Sequence, residues 1–179
     1  TDSGTGHGVV FGGGRSYAKN IYSGAHGGYG ILLQESNSSQ FVGLETILNG
    51  SHGTAIIGRP SPNNNINGAT VLNIDSNVNL GSGVYLENCF ADNIIGATVQ
   101  SNARYGIEFG PLTQLHNISG IYSEANTLGS GLMNAGSNAN SLQYNIVQDA
   151  NPVDNGTNNS IKLNDDPSYG LSKFNTLQA

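Results

Sequence analysis

The chain has 179 residues and a formal net charge of −6, and only 10% of its residues are charged, against about 25% in an average globular protein. Its 26 Gly, 25 Asn and 19 Ser residues give it a polar surface of low charge, while Leu, Ile, Val and Phe still make up about a quarter of the chain, which excludes a disordered protein. The six Lys and Arg residues are scattered singly, and no apolar run reaches the roughly 18 residues of a membrane span, so we expect neither a nucleic acid nor a membrane as partner.

A short motif recurs from the beginning of the chain, in which a glycine is followed by an apolar, a variable and a second apolar residue. It begins at Gly8, Gly30, Gly83, Gly106 and Gly131, and the segments from Thr54 and Ser160 fit the same frame. Successive members lie 22 to 30 residues apart. The alternation of apolar residues with period 2 predicts a short β-strand at each occurrence.

A second motif alternates with the first without slipping. Its members are Ile21–Ser23, Leu44–Thr46, Ala69–Val71, Ala97–Val99, Ile121–Ser123 and Ile146–Gln148. A third apolar position precedes them and is filled by Ala18, Phe41, Ile66, Ile94 and Ile118. Turns rich in Gly, Asn and Ser separate these segments, and no stretch has helical apolar spacing, so each period is predicted to hold three short strands.

A period near 24 residues with three strands is typical of a parallel β-helix, in which each coil stacks on the one before it. The sequence therefore predicts an all-β solenoid of about six or seven coils. An asparagine recurs at the turn after the second motif, at Asn49, Asn102, Asn126 and Asn151, with Asn73 one place off, and stacked amides of this kind bond each other as a ladder. We expect residues 1–179 to form one β-helix domain, to be part of a longer chain, and to end irregularly over residues 165–179.

This coil pattern over residues 8–163 resembles that of the pectin-lyase-like superfamily, which includes pectate lyases, polygalacturonases and bacteriophage tailspikes. The resemblance implies a right-handed, single-stranded parallel β-helix. The scarcity of charge, the lack of disulfides and the Gly, Asn and Ser bias look most like a phage tailspike or capsule depolymerase. This likeness implies recognition, with or without cleavage, of a capsule, lipopolysaccharide or cell-wall glycan. It also implies a homotrimer located on the virion surface or outside the cell.

Two other functions stay open from the sequence. The chain would also suit a secreted glycan lyase, hydrolase or epimerase, and it would suit a non-catalytic structural or adhesive rod. The sequence therefore does not decide whether the protein is an enzyme. If it is one, we expect a glycoside hydrolase or a polysaccharide lyase.

Two acidic residues of the predicted solenoid are catalytic candidates. The repeat places Glu124 and Asp149 at matching positions of adjacent coils, roughly 5 Å apart, with Tyr122 beside them and Gln100 one coil below. Two close carboxylates repel each other, so one of them would have a raised pKa and act as an acid while the other stays ionised. Glycoside hydrolysis uses such a pair, and we predict that Tyr122 and Gln100 bind the substrate.

A second candidate cluster surrounds Glu108, which is also a predicted catalytic residue. Tyr85 lies one coil away in the same predicted column, Arg104 lies four residues earlier in the chain, and Glu87 lies near the same turn. We predict that these three residues bind the substrate, because rows of charged, hydroxyl and aromatic groups suit a sugar chain. The alternative for both clusters is that the acidic residues are solvated side chains on the surface of the solenoid, without a catalytic role.

Cysteine and histidine give no sign of a metal site. Cys89 is the only cysteine, so a disulfide within the chain and a cysteine metal cage are both impossible. His26, His52 and His116 stand apart from one another, without the spacing of metal ligands. We therefore expect no metal and no cofactor.

Overall fold

The computed structural model describes residues 6–35, 37–58, 66–163 and 177–178. These residues form strands and turns without a helix, and the strands stack as a parallel β-solenoid of about six coils. The predicted fold class is thus confirmed. In the part of the chain that the structure covers, no helix is long and apolar enough to cross a membrane. The irregular end expected over 165–179 lies outside the described residues, except for residues 177–178.

Two parallel sheets enclose the core of the solenoid. In chain order the strands are β1 (Val9–Gly12), β2 (Tyr17–Gly24), β3 (Ile31–Gln34), β4 (Gln40–Ile47), β5 (Thr54–Ile57), β6 (Ile66–Asn67), β7 (Thr70–Asn77), β8 (Val84–Glu87), β9 (Cys89–Phe90), β10 (Asn93–Gln100), β11 (Tyr105–Phe109), β12 (Asn117–Glu124), β13 (Gly129–Met133), β14 (Ser141–Val147), β15 (Val153–Asp154), β16 (Ser160–Leu163) and β17 (Leu177–Gln178). Sheet A has the order β1-β3-β5-β8-β11-β13-β15, sheet B has the order β17-β16-β14-β12-β10-β7-β4-β2, and β6 and β9 form a small third sheet. All these pairs are parallel except β17, which runs antiparallel to β16.

The long strands of sheet B bend at one residue whose backbone is left-handed. The residues at the bend have φ between +55° and +77° and form one column: Asn20, Gly43, Asn73, Gly96 and Gly120. Gly and Asn adopt this conformation more readily than other residues, which is why they recur there. The bend joins two segments that the sequence analysis treated as separate strands. Two of the three predicted strands per coil are therefore the arms of one strand of seven or eight residues.

The core consists of apolar columns between the two sheets. Phe41 of β4 and both Ile107 and Phe109 of β11 are fully buried there. The glycine of the first motif lies at the edge of this core. A Cβ on Gly30 would come within 2.5 Å of the Asn49 side-chain nitrogen, so close packing requires a glycine at this position.

An internal ladder of polar side chains runs along the turn that follows sheet B. Its members, from one coil to the next, are Asn49, Asn79, Asn102, Asn126 and Asp149. The side-chain oxygen of Asn126 accepts hydrogen bonds from the backbone N–H and from Nδ2 of Asn102, at 3.1 and 2.9 Å. The ladder thus satisfies polar groups that would otherwise be buried without partners.

The register of the third coil differs from the sequence prediction. β7 pairs Ile74 with Leu44, so the second motif of this coil begins at Ile74 and not with the segment Ala69–Val71. Asn73 consequently lies at the bend, and the ladder residue of this coil is Asn79. The chain between β5 and β7 is longer than the corresponding connection in the other coils, and a fixed spacing therefore misplaces the motif.

Candidate functional site

The outer face of sheet A carries polar side chains from adjacent coils. Ile107 and Phe109 of β11 point into the core, so the alternation of the strand turns Glu108 outward. Tyr85 of β8 is the direct neighbour of Glu108 in the sheet, and Glu87 follows two residues later on the same face. The structure therefore brings Tyr85, Glu87 and Glu108 together. Their roles stay predictions.

Glu108 holds Arg104 in a fixed position. The Glu108 carboxylate accepts hydrogen bonds from Nε and Nη2 of Arg104, at 3.1 and 2.8 Å, and from Oγ of Ser82 at 2.6 Å. Glu108 is 3% exposed, whereas the Arg104 side chain is 46% exposed. The hydrogen bond to Glu108 raises the pKa of Arg104, so the guanidinium presents a permanent positive charge on the surface.

Tyr85 and Glu87 form a hydrogen-bonded pair beside this cation. The Tyr85 hydroxyl donates to Oε2 of Glu87 at 3.0 Å. Burial and the bond to this carboxylate raise the pKa of Tyr85, so the phenol keeps its proton at neutral pH. The pair places a proton donor and a proton acceptor within hydrogen-bond reach of each other.

An aromatic stack extends the same face over four rings. The ring centroids of His7 and Tyr29 are 4.7 Å apart, those of Tyr29 and His52 are 5.7 Å apart, and those of His52 and Tyr85 are 4.3 Å apart. The first three rings were not among the residues predicted from the sequence to form a site. Each of them directly precedes a glycine one period apart in the chain, and this recurrence is the signal that would have found them.

His52 is uncharged at neutral pH, and the position of its proton is fixed. Nδ1 accepts a hydrogen bond from the backbone N–H of Ser82 at 2.8 Å, so the neutral ring carries its proton on Nε2. Burial lowers the pKa of His52 to about 4. His52 therefore supplies an N–H donor next to the Tyr85 ring without adding a charge.

The first predicted cluster is only partly assembled, on the outer face of sheet B. The Glu124 carboxylate accepts hydrogen bonds from Nε2 of Gln100 at 2.6 Å and from the hydroxyl of Tyr122 at 2.9 Å. All three side chains are half-buried. The structure thus brings Glu124, Tyr122 and Gln100 together, and their predicted roles in catalysis and binding stay predictions.

Asp149 does not join that cluster, because it occupies the last position of the internal ladder. Its carboxylate accepts hydrogen bonds from Oγ of Ser123 at 2.6 Å and from the backbone N–H and Nδ2 of Asn126, at 2.9 and 2.7 Å. β14 pairs Ile146 with Tyr122, whereas the repeat spacing had aligned Ile146 with Ile121, and the ladder position after this strand is filled by Asp149 and not by Asn151. Glu124 and Asp149 are therefore not the neighbouring pair that the repeat spacing led us to expect.

A groove of about 470 Å³ follows the bend of sheet B. Tyr22, Glu45 and Asp75 line it, and Glu45 and Asp75 are direct neighbours in adjacent strands. Both carboxylates are exposed, and like charges side by side disfavour an anionic ligand. The residues that line this groove include no Lys or Arg, whereas the outer face of sheet A carries the exposed guanidinium of Arg104.

No protein-family profile and no curated protein sequence matches the chain. Two solved structures have a similar fold. The A-module of the mannuronan C-5 epimerase AlgE4 of Azotobacter vinelandii superposes with a TM-score of 0.63 at 13% identity, covering 88% of this chain and 50% of that one. A double mutant of the periplasmic alginate epimerase AlgG superposes with a TM-score of 0.57 at 16% identity, covering 89% of this chain and 38% of that one.

These similarities concern the fold. Sequence identity is low in both cases, and this chain spans half the length or less of each neighbour. Both neighbours belong to the right-handed β-helix class that the coil pattern resembles, and neither is a tailspike. The likeness therefore confirms the architecture. The activity has to be argued from the side chains on the surface of the solenoid.

Proposed function

We propose that this β-helix is part of an enzyme that modifies a uronate-containing polysaccharide on the outer face of sheet A, by removing the proton beside a uronate carboxylate. The observation that carries the proposal is the juxtaposition of an exposed cation, Arg104, with the hydrogen-bonded pair of Tyr85 and Glu87. The two neighbours in fold, a mannuronan epimerase and an alginate epimerase by name, support this class of substrate.

Arg104 supplies the charge that such a reaction needs. Removal of a proton from the carbon beside a carboxylate adds negative charge to that group, and a preorganised cation stabilises it. The bonds from Arg104 to Glu108 use Nε and Nη2, so Nη1 is left to bind the substrate carboxylate. In this proposal Glu108 is a positioning residue for Arg104.

Tyr85 and Glu87 handle the proton. Glu87 is the proton acceptor on this face, and Tyr85, whose pKa is raised, is the acid that returns a proton to the carbanion. His52 adds a neutral donor through Nε2. When the substrate carbon lies between them, the bond between Tyr85 and Glu87 is exchanged for bonds to the substrate, and reprotonation from the side opposite Glu87 inverts the configuration, as in an epimerase. If the proton of Tyr85 goes instead to the oxygen of the departing sugar, the product is the unsaturated uronate of a lyase.

Incubation with polymannuronate in D2O, followed by NMR, tests this proposal. We expect either inverted residues that carry deuterium at C5, or unsaturated uronate whose C5 has lost its hydrogen. Arg104→Gln should abolish both products, whereas Glu45→Gln in the groove of sheet B is a matched control that should leave product formation intact. Release of reducing ends with neither unsaturated uronate nor deuterium at C5 would contradict the proposal and favour a hydrolase.

A hydrolytic or binding role on sheet B is a second candidate. It is favoured by the hydrogen-bonded group of Glu124, Tyr122 and Gln100, which offers carboxylate, phenol and amide groups on one surface. Because Asp149 belongs to the ladder, Glu124 would have to act with a carboxylate from elsewhere. Loss of reducing-end release in Glu124→Gln, with Glu45→Gln unaffected, would support this role.

The wider setting expected from the sequence is also a proposal. Leu48, Leu80 and Leu128 are 59%, 69% and 50% exposed, and such apolar side chains favour contact with another chain, as in the homotrimer of a tailspike. The periplasmic location in the name of one neighbour supports a place outside the cytoplasm. Light scattering tests the trimer, and a monomeric mass would contradict it.

A further inference from the structure

A buried serine, Ser82, lies where the two halves of the sheet A site meet. It is 0% exposed and belongs to the turn that leads into β8. At this position, directly before the first motif, the earlier coils carry His7, Tyr29 and His52, whose rings stack on one another. The stack continues from His52 to Tyr85, so a small side chain at residue 82 stands where a fourth ring of the column would be.

Every polar group of Ser82 has a partner in the coil before it or in the coil after it. Its backbone N–H donates to Nδ1 of His52 at 2.8 Å, and its carbonyl oxygen accepts from the N–H of Gly53 at 3.0 Å. On the other side its hydroxyl donates to Oε2 of Glu108 at 2.6 Å and accepts from the N–H of Tyr105 at 3.3 Å. Ser82 therefore connects the stacked ring of one coil with the buried carboxylate of the next.

The hydroxyl of Ser82 begins a line of hydrogen bonds that leads from the interior to the surface. Ser82 donates to Glu108, which is 3% exposed, and Glu108 also accepts from Arg104, whose side chain is 46% exposed. A hydrogen bond to a carboxylate is about twice as strong as one between neutral groups. Because the backbone of Ser82 is itself bonded on both sides, its hydroxyl fixes the carboxylate from the buried side, whereas the guanidinium reaches it from the exposed side.

We propose that Ser82 is a positioning residue of the sheet A site: through Glu108, its hydroxyl fixes the direction in which Arg104 presents its guanidinium to the sugar carboxylate. This role rests on the uronate chemistry proposed for this face. Negative charge grows on the sugar carboxylate as the proton beside it leaves, so a cation that has lost its direction stabilises the transition state less. A hydroxyl that served stability alone would leave this step unchanged.

The backbone of Ser82 has a second part in the site, which can be separated from that of the hydroxyl. Its N–H fixes the ring of His52, and the centroid of this ring lies 4.3 Å from that of Tyr85. Ser82→Ala removes the hydroxyl and keeps the N–H. The variant should therefore loosen the cation and leave the stacked ring beside the proton donor in place.

Ser130→Ala is the matched control. Ser130 is also 0% exposed, and it directly precedes the glycine of its own coil. Its hydroxyl donates to the carbonyl oxygen of Ala150 at 2.9 Å and not to a carboxylate of the site. The two variants lose the same group from the same position of the repeat, so a general loss of stability affects both, whereas a loss of positioning affects Ser82→Ala alone.

The first measurement is hydrogen exchange at the Nε–H of Arg104, followed in 15N NMR spectra of the full chain, with Arg104→Gln to assign the signal. We expect exchange about tenfold faster in Ser82→Ala, no change in Ser130→Ala, and the same 15N shifts of the His52 ring in both. The second measurement is turnover of polymannuronate. Ser82→Ala should lower kcat about tenfold and raise KM less than about threefold, and Ser130→Ala should keep both values.

Two results would overturn the proposal. Exchange at Arg104 that is as slow in Ser82→Ala as in Ser130→Ala would show that the hydroxyl does not hold the guanidinium. Equal kcat of the two variants, where the unaltered chain turns the polymer over, would show that the hydroxyl has no part in the reaction. Absence of turnover in the unaltered chain would instead contradict the proposed function, and the exchange at Arg104 would still decide whether Ser82 positions it.

Discussion

On the outer face of sheet A, one residue positions another: Glu108 holds Arg104, and Arg104 faces the solvent from which substrate arrives. Glu108 is buried and saturated by hydrogen bonds, whereas the Arg104 that it holds is exposed. Because the Arg104 end of this ion pair is open to solvent, which screens the attraction, the main effect of the pair is to fix the direction of the guanidinium. A cation held in one orientation stabilises developing charge without reorganisation when substrate arrives.

The hydroxyl of Tyr85 is the group whose removal tests the proton-transfer step most directly. Tyr85→Phe keeps the stacked ring and removes the bond to Glu87, so we expect kcat/KM for the uronan to fall at least about a hundredfold with little change in melting temperature. Tyr22→Phe, in the groove of sheet B, is the matched control. Equal activity of both variants would show that the phenol of Tyr85 takes no part.

His52 makes stability depend on pH. Burial lowers its pKa to about 4, from about 6.5 in the unfolded chain. Between these values the unfolded chain binds a proton that the folded chain does not, so the contribution of His52 is complete above about pH 6.5 and is lost as the pH falls towards 4. The melting temperature, compared with that of His52→Gln at pH 7 and pH 4, should show an advantage that shrinks on acidification. An advantage independent of pH would contradict this account.

Individual site residues were predictable where the repeat is regular. Tyr85 and Glu108 hold equivalent positions of the first motif, so the spacing alone brought them together. His52 was not predicted as a site residue, because the first motif was defined to begin after it, at the position of the glycine. Asp149 was misplaced because the expected spacing aligned Ile146 with Ile121, whereas β14 pairs Ile146 with Tyr122, and two apolar residues one position apart fit the alternating pattern almost equally well.

At the scale of the elements, the ladder after sheet B couples each turn to the next. Asn102 is fully buried and bonds both the coil before it and the coil after it. Its oxygen accepts from the backbone N–H and from Nδ2 of Asn79. Two donors in the neighbouring coil thus depend on one amide.

Replacement of a ladder amide should therefore be far more harmful than replacement of a surface amide. Asn102→Ala leaves the backbone N–H of Asn79 buried without this partner, and Nδ2 of Asn79 keeps only its bond to Oγ of Ser76, at a cost of about 3 kcal/mol. This corresponds to a melting temperature lower by about 6–12 °C. Asn117→Ala, which removes an exposed amide at the start of β12, should change the melting temperature by less than about 2 °C. Similar losses in the two variants would contradict the importance of the ladder.

The existence of the strands followed from the sequence, but their continuity did not. Alternating apolar residues mark each arm of a sheet B strand, and the Gly or Asn between the arms reads as a turn. In the structure the left-handed residue bends the strand without ending it. The long connection before β7 is a second case, since its extra residues moved the apparent motif by several positions.

At the scale of the whole molecule, each coil bonds mainly to the coil before and the coil after it. An added coil with the same ladder residue at each end should therefore be accepted. Duplication of residues 103–126, a unit that matches the 24-residue separation of Asn102 and Asn126, should give a folded chain longer by about 4.8 Å. Small-angle scattering and circular dichroism check this outcome. An unfolded product would show that contacts beyond adjacent coils are essential.

Along the groove of sheet B, the backbone shape and the chemical character depend on different residues. The shape depends on the bend residues with left-handed backbone, from Asn20 to Gly120. Backbone torsions at a few Gly and Asn positions decide how wide the cleft opens, while the side chains on its walls, such as Tyr22 and Glu45, decide what it attracts. Wall residues are thus free to be exchanged without altering the contour of the cleft. Substitution of these wall residues alone should therefore change which ligand the groove prefers.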